Sequence, residues 1–388
     1  MSLTTPRPAP LRRIPALDGV RGVAILMVVA YHYVAIPIHQ SPSPLLQWLR
    51  HLLSRGGTGV DLFFVLSGFL IGRILLHHRE APNYYRVFYL RRIARIFPAY
   101  YELLLLFLGL RWLAHHAPFL NLDPTLFANP LPLEAYLIYG QNLAMILHGT
   151  FGNEFLAITW SLAIEEQFYL FLPWLVRVTS PRRFPWVALG FLGLPLLLRR
   201  TLGGDGKFYG FMFTPWRFDA LFFGVLLAVL ESRARLSARW KKVLPWVFLL
   251  LTGRYFYLSF SEPLGSTNHL FFNALLYATL LAWILSEEQG RLARLLQKAW
   301  LRKIGMISYG IYLFHQLVNG LLHAWIFHQP PRFQDLPSIG VTLLAAGVTY
   351  GIAWVNYHLL EKRFINWGHR WRYVPPARNP DVERVPLA

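Results

Sequence analysis

The sequence contains no cysteine. That excludes disulfide stabilisation, a thiolate nucleophile and cysteine-ligated metal. Charge is also scarce: 15% of the 388 residues are Asp, Glu, Lys or Arg, and only 19 are acidic, where an average soluble domain carries about 25% charged residues. So little polar surface cannot cover a water-facing exterior of this size. No tandem repeat or low-complexity tract is evident either, and no separate soluble domain is expected in this sequence. What is abundant is apolar: 55% of residues are hydrophobic and 16% aromatic, with a mean hydropathy of +0.37. These residues come in blocks such as Val23 to Val34, Leu62 to Leu76 and Val341 to Leu360, near the roughly 20 residues that span a hydrocarbon core. The composition therefore points to an all-α polytopic membrane protein. Residues 1–13 are polar and basic, but the block after them lacks a small-residue cleavage site and reads as a first membrane helix, not a signal peptide.

Ten spans are predicted, at roughly 16–37, 58–77, 97–114, 156–176, 184–200, 213–230, 243–258, 269–286, 304–326 and 338–360. Segment 133–148 is apolar but short, and reads as an interfacial or re-entrant helix. The net charge of +19 is compatible with a nucleic-acid binder, but the basic residues sit in short clusters between apolar blocks, so no nucleic acid is expected. With the N-terminus in the cytoplasm, 27 of the 38 Lys and Arg fall on inner segments, 8 on outer ones and three inside spans. The positive-inside rule then places both termini in the cytoplasm. Residues 1–370 are expected to form one transmembrane domain, and 371–388 a disordered cytoplasmic tail.

Ionisable groups inside membrane spans are costly and mark pathways or sites. Arg21 and His32 are 11 residues apart, about three helical turns, and so share one face of the first span. A neutral imidazole past mid-membrane suits a general base; a core histidine bonded to a carbonyl is the alternative. Asp61, at about the same depth, would hold the other imidazole nitrogen, or would simply cap its helix. Gly68 and Gly72 suit close helix packing, and Ser67 in the same helix reads as packing, with a hydrogen-bonding site residue as the alternative. Arg86, Arg91, Arg92 and Arg95 crowd the inner end of the third span, where arginine pairs would grip phosphate. Ser161, Glu165 and Tyr169 share a face at spacing four, with Glu166 beside them. Arg217 and Asp219 lie at the outer start of the sixth span. Ser308, Tyr312 and His315 form a polar stripe on the ninth. Interhelical ion pairing or hydrogen bonding is the alternative for these last groups. Two clusters result, with Arg21, Arg73, Arg92, Arg95 and Glu361 inside, and His32, Asp61, Ser161, Glu165, Arg217 and Asp219 toward the outside.

The stretches IPALDGVRGVAILMVVAYH, GVDLFFVLSGFLIGR, YLRRIARIFPAYY, TWSLAIEEQFYLFLPW, RFDALFFG, ISYGIYLFHQ and LEKRF together resemble the acyltransferase-3 family of membrane acyltransferases, in the same order and across residues 14–364. The resemblance implies ten core helices in the inner (cytoplasmic) membrane, embedded among membrane lipids. It implies acyl-CoA, most often acetyl-CoA, as cytoplasmic donor substrate, with no metal. The acceptor would be a hydroxyl of a carbohydrate or glycolipid of the cell envelope, or an antibiotic scaffold. The family's Arg-x10-His motif maps onto Arg21 and His32, and its RxxR motif onto Arg92 and Arg95. Some relatives carry an added periplasmic esterase-like domain; here such a partner is expected to be a separate protein. The catalytic candidates are then His32, Asp61 and Glu165; Arg21, Arg92 and Arg95 would hold the donor; Ser161, Arg217, Asp219, Tyr312 and His315 would contact substrate. A transporter, or a non-catalytic sensor or assembly protein on the same fold, are the competing readings.

Overall fold

The computed structural model describes residues 11–38, 43–117, 119, 122–201, 209–233, 240–261 and 267–375, and every regular element among them is helical. Helix α1 (Ala16–Ala30) runs on through a π-helical turn at Tyr31–Ala35, and the short α2 (Pro44–Ser54) precedes α3 (Gly59–His77) and the long α4 (Tyr84–His116). Three short helices, α5 (Leu133–Leu137), α6 (Gln141–His148) and α7 (Glu154–Ala157), lead into α8 (Trp160–Val178). Then come α9 (Phe184–Thr201), the single turn α10 (Tyr209–Met212), α11 (Phe218–Ser232), α12 (Trp240–Ser261) and α13 (Thr267–Ser286). The chain closes with α14 (Arg291–Leu296), α15 (Ala299–Met306), α16 (Ser308–Phe327), α17 (Leu336–Asn356) and α18 (Lys362–His369), the last two joined by a π-helical turn at Tyr357–Glu361.

The ten expected spans each fall on one of the longer helices, α1, α3, α4, α8, α9, α11, α12, α13, α16 and α17. Six stretches, within 16–35, 44–77, 84–116, 154–178, 269–286 and 336–369, are long and apolar enough to cross a membrane by length and composition. Leu105, Leu250 and Leu343 point outward from the bundle, as lipid-facing side chains do. The chain is an all-α polytopic membrane protein. Helix α16 is less apolar because it carries Tyr312, His315, Asn319 and His323, all buried; their spacing of three and four puts them on one inward face.

Polar contacts sort the segments between helices into two ends. At one end Arg73 pairs with Glu231 at 2.9 Å and donates to the Arg12 carbonyl at 2.8 Å. Arg12 pairs with Glu288, Arg79 donates to the Thr179 carbonyl, Arg233 donates to that of Pro181, and Asn83 donates to that of Arg372. The six segments predicted for the inner face, namely the N-terminal tail, 79–95, 177–183, 231–242, 287–303 and the tail from 361, are thereby brought together, and the two ends of the described chain lie at the same end of the bundle.

Segment 133–148 forms two short helices and no spanning one. It breaks at Tyr139, which has φ 56°, and α6, at 8 residues, is about 12 Å long against a hydrocarbon core of about 30 Å. Tyr100, midway along α4, donates to the Tyr136 carbonyl at 2.8 Å, and Gln167 of α8 donates to that of Tyr139 at 2.9 Å. The insertion therefore packs against the middle of α4 and of α8.

Close packing of α3 on α11 depends on two glycines. A Cβ on Gly68 would lie 1.9 Å from the Leu221 carbonyl oxygen, and one on Gly224 would lie 2.1 Å from that of Val65. No side chain fits without separating the helices. Gly68→Ala is expected to cost about 1–3 kcal/mol through overpacking, read as earlier thermal unfolding of the detergent-solubilised protein; an unchanged transition would contradict this contact.

Candidate active site

A cavity of about 340 Å³ opens at the basic end of the bundle. Its mouth is lined by Arg91, Arg92 and Arg95 of α4, Arg21 of α1, His369 of α18 and Tyr373. Its neck is apolar, with Leu66, Leu70, Ile71 and Ile74 of α3 facing Phe88 and Ile96 of α4. Farther in, hydroxyls and a carboxyl line it: Ser67, Ser161, Glu165, Tyr169 and Tyr312. Six of the expected site residues, Arg21, Arg92, Arg95, Ser161, Glu165 and Tyr312, therefore share one chamber.

The arginines differ in their commitments. Arg21 is held at 3.2 Å by Asp18, which also pairs with Arg13 at 2.7 Å. Arg92 and Arg95 have neither an ion-pair partner nor a hydrogen bond among the described residues, though Arg92 lies in the field of Glu166 and Arg95 in that of Glu361. Two half-buried guanidiniums free at a cavity mouth form a fork for an anionic group.

Glu165 corrects the expected layering. Predicted with the outer cluster, it lies instead beside Ser67 and Tyr169 and in the field of Arg92 and Arg21. The Ser67 and Tyr169 hydroxyls bond to each other, so Ser67 is a wall of the chamber as well as part of the α3 packing face.

Behind the chamber stands a histidine pair. Tyr312 donates its hydroxyl to the Ile158 carbonyl at 2.7 Å, and Ser161 bonds to that hydroxyl at 2.7 Å. The Tyr312 carbonyl faces His315 Nδ1 at 2.7 Å, and His315 Nε2 faces His32 Nδ1 at 3.2 Å. His32 Nδ1 is also 3.0 Å from the Val28 carbonyl. These partners determine the tautomers. A carbonyl only accepts, so His315 carries its proton on Nδ1 and presents a lone pair at Nε2. His32 then carries its proton on Nδ1, shared between that lone pair and Val28. The basic lone pair of His32 falls on Nε2, to which no described residue hydrogen-bonds. The π-helical turn lets consecutive residues serve this arrangement, as Tyr33 donates its hydroxyl to the His315 carbonyl at 2.8 Å; such widened turns recur at functional sites.

Asp61 does not orient His32. It is ion-paired with Arg217 and accepts from Asn273 at 3.3 Å. Arg217 and Asp219 do not pair with each other: Asp219 is bound by Arg199 of α9, and Arg217 lies under the Phe64 ring at 5.2 Å. All four charges are buried and outside the cavity lining. Arg217 and Asp219 are thus each engaged in an ion pair with another segment, as the ion-pairing alternative expects.

Sequence reasoning passed over His369 and Tyr373, and it placed residues 371–375 in a disordered tail. Among them Trp371 and Tyr373 pack on arginines of α4; 376–388 lie outside the described residues. Burial and the neighbouring His77 and Arg91 charges lower the His78 pKa to about 4, and burial raises that of Tyr373 to about 12. At neutral pH, Tyr373 keeps its phenolic proton.

Residues 14–358 match the profile of an acyltransferase domain. The chain belongs to the acyltransferase-3 family. Among relatives, the peptidoglycan O-acetyltransferase OatA of Listeria monocytogenes is 30% identical over 379 residues, covering 90% of this chain and 55% of the relative. A Bacillus subtilis protein provisionally named peptidoglycan O-acetyltransferase YrhL is 30% identical over 387 residues, covering 92% and 56%. A Staphylococcus aureus protein provisionally named an O-acetyltransferase is 26% identical over 385 residues, covering 94% and 60%. The chain thus spans little more than half the length of these relatives. No solved structure gives a significant match. Of the family's two motifs, Arg21, Arg92 and Arg95 line the cavity and His32 stands behind it.

Proposed function

We propose that this acyltransferase-3 protein moves an acyl group, in the first instance acetyl, from acyl-CoA to a hydroxyl of a carbohydrate acceptor of the cell envelope, with the arginine mouth facing the cytoplasm across the inner membrane. The observation that carries the proposal is the continuity of the cavity: free guanidiniums at its mouth, an apolar neck, and hydroxyls at depth backed by a histidine with an available lone pair. Arg92 and Arg95 suit the donor's phosphates, and the neck suits its thinner, largely uncharged pantetheine arm. The acetylated glycans named for the Listeria and Bacillus relatives make a peptidoglycan-like acceptor the first to try.

In this reading His32 Nε2 takes the proton of the acceptor hydroxyl as its oxygen attacks the thioester carbonyl. The Nδ1–H of the imidazolium donates a hydrogen bond to His315 Nε2, which keeps the ring oriented. The tetrahedral intermediate collapses with cleavage of the C–S bond, and the departing thiolate recovers the proton from His32. The ester is formed with no net proton change. Glu165, near Arg92 and Arg21, serves the donor end of the chamber and not the proton transfer.

The test is purified protein in lipid vesicles, given isotopically labelled acetyl-CoA and a soluble glycan fragment. The expected product is the fragment heavier by one acetyl unit. Vesicle uptake of the glycan with no acetylation would replace this reading with transport, and acetyl-CoA binding without product would replace it with a non-catalytic role.

A further inference from the structure

The segment after α18 is built into the cavity mouth. Arg91 donates from Nε and Nη2 to the Trp371 carbonyl at 3.0 and 2.6 Å. Asn83 donates to the Arg372 carbonyl at 2.9 Å and accepts from the Val374 amide at 3.0 Å. The Tyr373 ring lies flat on His78, with centroids 3.8 Å apart and planes within 9°. These contacts hold Tyr373 where it lines the cavity beside Arg91, Arg92 and Arg95. Its hydroxyl is buried and has no hydrogen-bond partner among the described residues.

An unbonded buried hydroxyl is costly and calls for an explanation. Here the surroundings supply one. The groups around the mouth are overwhelmingly donors, since guanidiniums have no acceptor capacity, and so the phenol finds no acceptor among the described residues. The missing complement is a group with several acceptor oxygens and negative charge. We propose that Tyr373 is a donor-binding residue, its hydroxyl donating to a phosphate oxygen of the acyl-CoA that Arg92 and Arg95 also hold, with Asn83 and His78 as positioning residues that fix the segment. This rests on the donor assigned above. It extends the donor site beyond the helices to a segment of the chain that carries no motif.

The test is calorimetric titration of the full-length protein in nanodiscs with CoA and, separately, with pantetheine, which lacks the phosphates. Tyr373→Phe keeps the ring and its stacking and removes only the hydroxyl; Asn83→Ala loosens the segment and leaves the lining side chains intact. Both are expected to weaken CoA binding about tenfold, the loss of one charge-assisted hydrogen bond, with pantetheine binding unchanged between wild type and variants. If the variants bind CoA as tightly as wild type, Tyr373 is not part of the donor site. If instead they lose co-purified phosphatidylglycerol while CoA affinity holds, the hydroxyl serves a lipid headgroup and the proposal is likewise overturned. Wild-type protein that binds no CoA at all would remove the donor reading itself, an outcome distinct from the other two.

Discussion

His32→Ala is expected to lower the transfer rate by about 10²–10⁴-fold, the range a positioned general base supplies, with donor binding left within about twofold. The expectation follows from the tautomer argument. The Val28 carbonyl and His315 Nε2 are both acceptors facing His32 Nδ1, at 3.0 and 3.2 Å, so the proton is held there and Nε2 is left to act as base. Alanine removes that lone pair and no other described group stands in its place. The cavity mouth is lined by other residues, so affinity for the donor should hold. Rates measured at saturating donor, with folded protein quantified by size exclusion, check this. A variant that transfers at the wild-type rate would take His32 out of the chemistry.

Asp61→Ala is expected to fail differently. It leaves the Arg217 guanidinium, 2% exposed, without its carboxylate in a low-dielectric interior. Removing one partner of a buried pair typically costs about 3–5 kcal/mol, a large share of the roughly 5–15 kcal/mol that stabilises a folded domain. The variant should unfold at markedly lower temperature, while whatever fraction remains folded transfers normally. Asp61→Asn combined with Arg217→Gln removes both charges and should recover most of the stability, since the uncompensated ion and not the lost attraction carries the penalty. Had Asp61 oriented His32, the single variant would instead be stable and slow. Thermal unfolding and specific activity measured on the same preparations separate the two outcomes.

The misassignment of Asp61 shows what spacing conveys and what it leaves out. Depth is readable from a hydropathy pattern because each residue of a helix rises a fixed 1.5 Å, and depth alone put Asp61 level with His32. Azimuth decides contact. Asp61 and Gly68 are seven residues apart, two turns, and so share a face. Gly68 packs on α11, which directs Asp61 toward α11 and Arg217, the residue that caps its start. The glycine pattern thus held the information, once its packing partner was known. For Asp219 no such signal existed, because its partner Arg199 ends a different helix 20 residues earlier and reads from sequence as an outer-loop charge. The helices themselves were legible because hydrocarbon thickness imposes their length. The cavity mouth was legible because unpaired arginines at a membrane boundary are conspicuous. Glu165 was misplaced because its neighbours, Ser67, Tyr169, Arg92 and Arg21, come from three other helices or from a different turn, and which of them a side chain meets is a tertiary fact. Tyr373 was invisible for a similar reason: a short polar stretch rich in Arg and Pro looks unstructured until the Arg91 and Asn83 contacts are seen.

Division of labour along one cavity, with phosphate held at the arginine mouth and proton transfer performed at depth, is most directly tested by titrating CoA into three proteins in nanodiscs: wild type, His32→Ala, and Arg92→Gln with Arg95→Gln. The wild type and His32→Ala should bind alike, and the double arginine variant about a hundredfold more weakly, as the loss of two charge-assisted contacts requires. Equal affinity in all three, or a weakening confined to His32→Ala, would contradict it.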